Sequence, residues 1–449
     1  METVKSPRSL ARGVAGAWSI PALRQYALSP LFRNAGYLWV STIVLSAFGF
    51  AFWTAAAWLY PADAVGYGAA AISATALISG FANLGLGFGL IRFLPERQES
   101  GVRLINSVFL VTGAAGLAAA VIFLLGLDLW SPSLGVVRSH PIFAVTFVIA
   151  GIACSLSAVL DQVFVATRTA HFVLIKNGAL SLGRIVLVAV FALFFASFGI
   201  VAAHGLAVTA LVALTLFFAL PAARRGYRPA LQWEPSEVRP IFSFSMGNYV
   251  GALLFLAPGS ILTIMVLNTL GPEEAAYFYV AWAIGLVASG FSSALSSSLF
   301  AEGSHGPDEL GRTARRASIG GSFVALAMTF ALFVLAEPIM RAFGPEYASN
   351  GSNLVRILAL SIPPYLFLNI YVGVQRVRKR TGSIVVVAGA MAATSLLVSY
   401  LLSRPMGLEG FGVGWLAGQG AALVAVTLVT GLRYSQERGL RALWSVATR

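Results

Sequence analysis

Twelve apolar stretches, each near the roughly 20 residues needed to cross a hydrocarbon core of about 30 Å, constrain this chain more than any other feature. They cover residues 34–58, 66–91, 104–127, 141–165, 173–195, 200–220, 241–267, 275–300, 318–340, 352–375, 382–403 and 410–431. Few charges interrupt them. Of 449 residues 58% are hydrophobic and only 10% charged, against about 25% charged in an ordinary soluble domain. The mean hydropathy is +0.83. The expected fold is an all-α polytopic membrane protein of about twelve transmembrane helices.

A net charge of +13 would suggest nucleic acid in a soluble chain, but its placement follows the membrane. Arginine and lysine crowd alternate loops: Lys5, Arg8, Arg12, Arg24 and Arg33, then Arg92, Arg97 and Arg103, then Arg168 and Lys176. The same set continues through Arg224 to Arg239, Arg312 to Arg316, Arg376 to Arg380 and Arg433 to Arg449. The intervening loops hold only Arg138, Arg341 and Arg404, with Arg356 just inside a helix. Basic loops stay cytoplasmic, so both termini are expected there. Attraction to anionic headgroups accounts for the rest of the charge, and no nucleic-acid partner is expected. Residues 1–33 spread their basic groups over the whole length without a short apolar core and cleavage site. They read as a cytoplasmic lead-in and not as a secretory signal.

Cys154 is the single cysteine, so neither an internal disulfide nor a thiolate metal site is possible. His140, His171, His204 and His305 are scattered without i, i+4 pairing, and no metal or cofactor is expected.

An internal repeat divides the chain. "ISGFANLGLG" (Ile78 to Gly87) aligns with "ASGFSSALSS" (Ala288 to Ser297) at a shift of 210 residues, which also sets Tyr67 over Tyr277. Six spans per half make the repeat parallel, with a pseudo-axis along the membrane normal. The expected organisation is a lead-in at 1–33, a six-helix bundle at 34–220, a Pro-rich cytoplasmic linker at 221–240, a second bundle at 241–431 and a cytoplasmic tail at 432–449.

Gly80, Gly85, Gly87 and Gly89 have two readings: close packing of membrane helices, or a hinge beside a wet cavity. Polarity at matching places in both halves, Asn83 opposite Ser293, favours a cavity between the bundles.

"LGLGFGLIRFLPE" (Leu84 to Glu96), "LFRNAGYLWVS" (Leu31 to Ser41) and "GPEEAAYFYVAWAIG" (Gly271 to Gly285) resemble the polysaccharide-transporter branch of the multidrug/oligosaccharidyl-lipid/polysaccharide flippase superfamily. The resemblance implies a flippase that moves a polyprenyl-diphosphate-linked oligosaccharide from the inner to the outer leaflet of a bacterial cytoplasmic membrane, for cell-surface polysaccharide synthesis. Its partners would be that lipid-linked glycan, membrane lipids, and glycosyltransferases or a polymerase of the same pathway. Ion-coupled multidrug exporters share the fold, but commonly carry a carboxylate in the first membrane helix. None occurs between Asn34 and Tyr60.

A diphosphate calls for cations, and the arginine fork suits its oxygens. Arg184, deep in the fifth span, either binds substrate, pairs structurally with Asp161, or snorkels to the cytosol. Asp161 is alternatively an ion-coupling group. Arg33 and Arg92 end helices on the cytoplasmic side, as headgroup anchors or as the first contact for a diphosphate. Asn34 and Asn83 in the first half, and Ser243, Ser245, Asn248 and Tyr249 in the second, offer hydrogen bonds to sugars or between helices. Trp53, Trp58, Tyr60 and Trp130 read as an outer interfacial belt. A membrane polymerase or ligase is the other class of reading. It is disfavoured because the outer loops are short, carry few acids, and no P-loop or nucleotide-sized cytoplasmic domain is present.

Overall fold

The computed structural model describes residues 30–97, 101–195, 198–224, 226–305 and 310–447. With no water in hydrocarbon to satisfy backbone N–H and C=O groups, each apolar run closes its own hydrogen bonds as a helix. The first half comprises α1 (Pro30–Leu59), α2 (Ala62–Asn83), α3 (Leu86–Phe93), α4 (Gly101–Leu125), α5 (Pro141–Ala166), α6 (His171–Phe191) and α7 (Gly199–Leu214). The second comprises α8 (Pro235–Thr269), α9 (Pro272–His305), α10 (Leu310–Arg341), α11 (Pro345–Leu360), α12 (Ile362–Val377), α13 (Thr381–Met406) and α14 (Leu408–Ala447). Ten helical stretches are long and apolar enough to cross a membrane, and α11 with α12, bent by 42°, forms an eleventh. With α1, whose apolar part Val44–Leu59 is shorter, they account for the twelve stretches.

Two spans are not single helices. The second breaks after Asn83, where Leu84 (φ 48°) and Gly85 (φ 73°) both turn left-handed before α3 begins. The tenth breaks at Ser361, just ahead of Pro363 and Pro364, which cannot donate into a continuing helix. Between α7 and α8 the irregular segment is shorter than the 221–240 stretch suggests, because α8 already begins at Pro235.

Packing repeats as the sequence does. In the first half α1 lies on α6, α2 on α5, α4 on α5, α6 on α7 and α5 on α7; in the second α8 lies on α13, α9 on α11 and α12, α10 on α11 and α12, α13 on α14 and α11 on α14. The halves meet along α2, which contacts both α8 and α9, and along α3, which contacts α8.

The two ends of the bundle are held differently. At the end away from the arginine-rich loops, Asn268 Nδ2 of α8 donates to Trp130 O at 3.0 Å, and Ser133 N donates to Asn268 Oδ1 at 3.3 Å. Trp58 Nε1 of α1 donates to Ala342 O beyond α10 at 2.9 Å. In the loop there, the hydrogen bond from Arg138 holds the Asp128 carboxyl below the usual carboxylate range. At the arginine-rich end, Arg97 pairs with Glu237 of α8, and Asn106 Nδ2 donates to Arg228 O at 3.1 Å.

The aromatic belt expected from sequence is half correct. Trp58 and Trp130 are exposed, whereas Trp53 and Tyr60 are buried in the core. Tyr60 donates its hydroxyl to Val188 O at 2.9 Å.

Candidate functional site

Two chambers occupy the space between the halves, reaching from mid-bundle toward the arginine-rich end. The first, about 480 Å³, lies among α2, α3, α5, α7 and α8; the second, about 560 Å³, lies among α8, α9, α12 and α14. Ile72 and Ala76 of α2 and Ala252 and Leu256 of α8 line both, so the chambers share one apolar wall. Both volumes fall in the range of small-molecule sites.

The first chamber is built around a neutralised charge. Asp161 on α5 faces it and pairs with Lys176 of α6 at 2.8 Å. Lys176 Nζ also donates to Ser157 Oγ at 2.7 Å and Ser157 O at 3.1 Å. Of the three readings of Arg184, the structural pair with Asp161 is therefore not formed. Asp161 lies six residues before the turn at Thr167–Ala170 and Lys176 six residues after it, so the antiparallel hairpin brings those two level. Arg184, two turns further along α6, lies instead over the Phe52 ring at 4.3 Å, in neither chamber. Its Nε is enclosed with no hydrogen-bond partner among the described residues. A cation on a desolvated aromatic face gains about 2 kcal/mol, which offsets much of the cost of placing it mid-membrane. Beside Phe52, Trp53 meets Tyr279 of α9 at 4.5 Å between centroids, joining α1 to the other half.

The glycines of the second span serve mainly close approach. A side-chain carbon at Gly85 would stand 2.7 Å from Tyr249 Cβ, and Gly89 lies against Ile241; these two let α3 pack directly on α8. Asn83 lines the first chamber and its Oδ1 accepts from Gly87 N at 3.5 Å across the break. Tyr249 lines the same chamber, with its hydroxyl donating to Phe81 O at 3.0 Å. Cys154 Sγ is 3.5 Å from His204 Nε2 on its far wall. Ser245 is buried and Asn248 half-buried, and neither lines a chamber. Arg92 is exposed, paired with Glu96 of its own turn, and outside both chambers. The side chains of Arg33, Asn34 and Ser243 lie outside the described residues.

The second chamber has a different character. Ser289, Ser293 and Ser297 of α9 line one side, Tyr365, Asn369 and Arg376 of α12 another. Ser293 thus faces the cleft, but in the chamber next to that of Asn83. Asn369 and Arg376 escaped the sequence reading because Arg376 heads the run Arg376–Arg380, whose bulk is explained by topology. The signal was the spacing: Tyr365, Asn369 and Arg376 recur at near-helical intervals on one face. Among the described residues no three His, Cys, Asp or Glu side chains come together.

Two repeated six-helix halves around a central cleft define a membrane transporter fold. The family described as polysaccharide biosynthesis protein matches residues 58–349. The chain belongs to that family, within the polysaccharide-transporter branch of the flippase superfamily. The lipid II flippase MurJ in its inward closed conformation is similar in structure, with a TM-score of 0.71 at 12% identity over 89% of this chain and 87% of that one. An inward-facing multidrug resistance MATE family transporter of the MOP superfamily gives 0.67 at 15% identity, over 90% and 99%. At such identities the likeness is one of fold. No curated protein matches in sequence.

Proposed function

We propose that this flippase-type transporter moves a polyprenyl-diphosphate-linked oligosaccharide from the inner to the outer leaflet of a bacterial cytoplasmic membrane, with both termini cytoplasmic. The observation that carries the reading is the second chamber. Against an aliphatic wall that includes Ala252, Leu256 and Leu286, it sets hydroxyls, an amide and aromatic rings on the α9 and α12 sides, with one guanidinium toward the arginine-rich end. That lining suits a polar, anionic head better than an apolar drug cation. The hydrogen bonds at the opposite end and the reach of both chambers toward the basic loops fit a state open to the cytosol, as alternating access at a repeat interface requires. The lipid tail stays in the bilayer while the head crosses.

The ion-coupled exporter remains the second reading because Asp161 faces the first chamber. Its pairing with Lys176 leaves no lone carboxylate there, and so favours flipping driven by the substrate's own charge. Each charge moved outward through 100 mV, inside negative, gains about 2.3 kcal/mol.

Purified protein in liposomes, given undecaprenyl diphosphate bearing a labelled oligosaccharide, tests this. The expected result is protein-dependent movement between leaflets with unchanged chemistry, faster under a potassium diffusion potential at fixed pH without sodium. Movement indifferent to that potential but dependent on a sodium or proton gradient supports the coupled reading. A lengthened glycan would make the protein an enzyme.

A further inference from the structure

Tyr365, Asn369, Val372 and Arg376 all line the second chamber. Their spacing of i, i+4, i+7 and i+11 sets them in a row about 16 Å long, at 1.5 Å per residue, down one face of α12. The chemistry changes steadily along that row. At the bend end, Tyr365 lies 6.3 Å from Trp415, which meets Trp282 edge-on at 4.8 Å. In the middle, Asn369 Nδ2 donates to Tyr365 O at 2.9 Å, and Asn369 O accepts from Ser296 Oγ at 2.6 Å, so the residue is held in place on both sides. At the far end, toward the basic loops, stands Arg376.

Arg376 differs from the other cations of the membrane region near the cleft. Lys176 has Asp161 and Ser157, and Arg184 has the Phe52 face. Arg376 is exposed at the mouth of its chamber, no hydrogen bond or ion pair reaches its side chain among the described residues, and it is the cation lining the chambers. A guanidinium free of protein partners at the mouth of a cleft with low-dielectric walls concentrates anions there, and its fork matches two phosphate oxygens at once. Asn369 and the α9 hydroxyls offer donors and acceptors for sugar hydroxyls, and the aromatic rings beyond them offer flat apolar faces.

We propose that the second chamber binds the substrate head in one direction, with a phosphate of the diphosphate on Arg376, the first sugar between Asn369 and the α9 serines, and the outer sugar against Tyr365 and Trp415. The sugar placement rests on the flippase reading. The phosphate site on Arg376 stands without it, because it follows from the unpaired charge in the chamber.

The test uses the full chain, purified in lipid nanodiscs, and labelled inorganic pyrophosphate as probe. Wild type is expected to bind it saturably. Loss of a charge-assisted bidentate contact in Arg376→Gln should weaken binding about tenfold or more, Arg376→Lys should fall between, and Arg92→Gln should bind as wild type does. Asn369→Asp, which sets a negative charge beside the site, should also weaken it. If Arg376→Gln does not accumulate, the Lys and Asp variants decide. Wild type that binds no pyrophosphate, or Arg376 variants that bind it as wild type does, overturns the phosphate site. Pyrophosphate binding that depends on Arg376, in a protein that moves no lipid-linked sugar, would keep the phosphate site and reject the flippase reading and its sugar placement.

Discussion

The two halves share five helix pairings and differ in what they place at the cleft. In the first half, the helix along the seam breaks at Leu84 and Gly85, and the chamber's carboxylate is satisfied by Lys176. In the second, the corresponding α9 runs unbroken past a row of serines, and the chamber's guanidinium has no partner among the described residues. The repeat specifies the frame. The residues that departed from it assign structural closure to one chamber and ligand chemistry to the other.

The strongest challenge to this contrast is to remove charges one at a time. Lys176→Met leaves Asp161 facing a low-dielectric wall without its cation, and breaking such a pair costs about 3–5 kcal/mol. Most of the folded protein should disappear from size-exclusion profiles, with recovery in the Lys176→Met, Asp161→Asn double variant. Arg376→Gln should leave the melting temperature of the detergent-solubilised protein unchanged. Equal loss in both single variants would erase the distinction between a structural and a ligand charge.

Glycine substitutions sharpen the same comparison with a smaller effect. Gly85→Ala forces a side chain into a left-handed conformation and against Tyr249, at a cost of about 1–3 kcal/mol. Gly290 in α9 has open space where its side chain would be, and Gly290→Ala should be neutral or stabilise by up to about 1 kcal/mol. Thermal melts of the two variants side by side should separate them in that order.

The smallest expected effect on stability comes from single cysteines in a Cys154→Ala background. Asn83→Cys and Ser293→Cys each line a chamber and should react with a charged, water-soluble thiol reagent, with stability changed by no more than about 0.5 kcal/mol. Val324→Cys on exposed α10 should stay inert in membranes. Inert Ser293→Cys with reactive Val324→Cys would turn α9 and α10 inside out.

Much of the frame was legible because hydropathy counts helices and a parallel repeat pairs them. What hydropathy cannot register is backbone sign: the break at Leu84 and Gly85 depends on φ, and only the glycine cluster hinted at it. A pair of Arg184 with Asp161 was one of three readings of that arginine, and equal distances from the turn at Thr167–Ala170 select Lys176 in its place. Trp53 and Tyr60 looked like interfacial aromatics because residue type does not reveal which face of α1 meets the core. Arg376 was hidden by its neighbours, since a basic loop explains four positive charges as readily as three. Asn83, Tyr249 and Asp161 were placed at a chamber wall; Arg184, Arg92 and Asn248 were not.

Photo-crosslinking tests the central claim most directly. Undecaprenyl diphosphate carrying an oligosaccharide with a photoreactive outer sugar would be irradiated with the protein in liposomes and the adduct mapped by mass spectrometry. The account predicts adducts on α12 around Tyr365 and on α14 around Trp415, competed away by excess unlabelled lipid-linked glycan. Adducts confined to the lipid-facing surface of α10, or spread evenly with no competition, would contradict it.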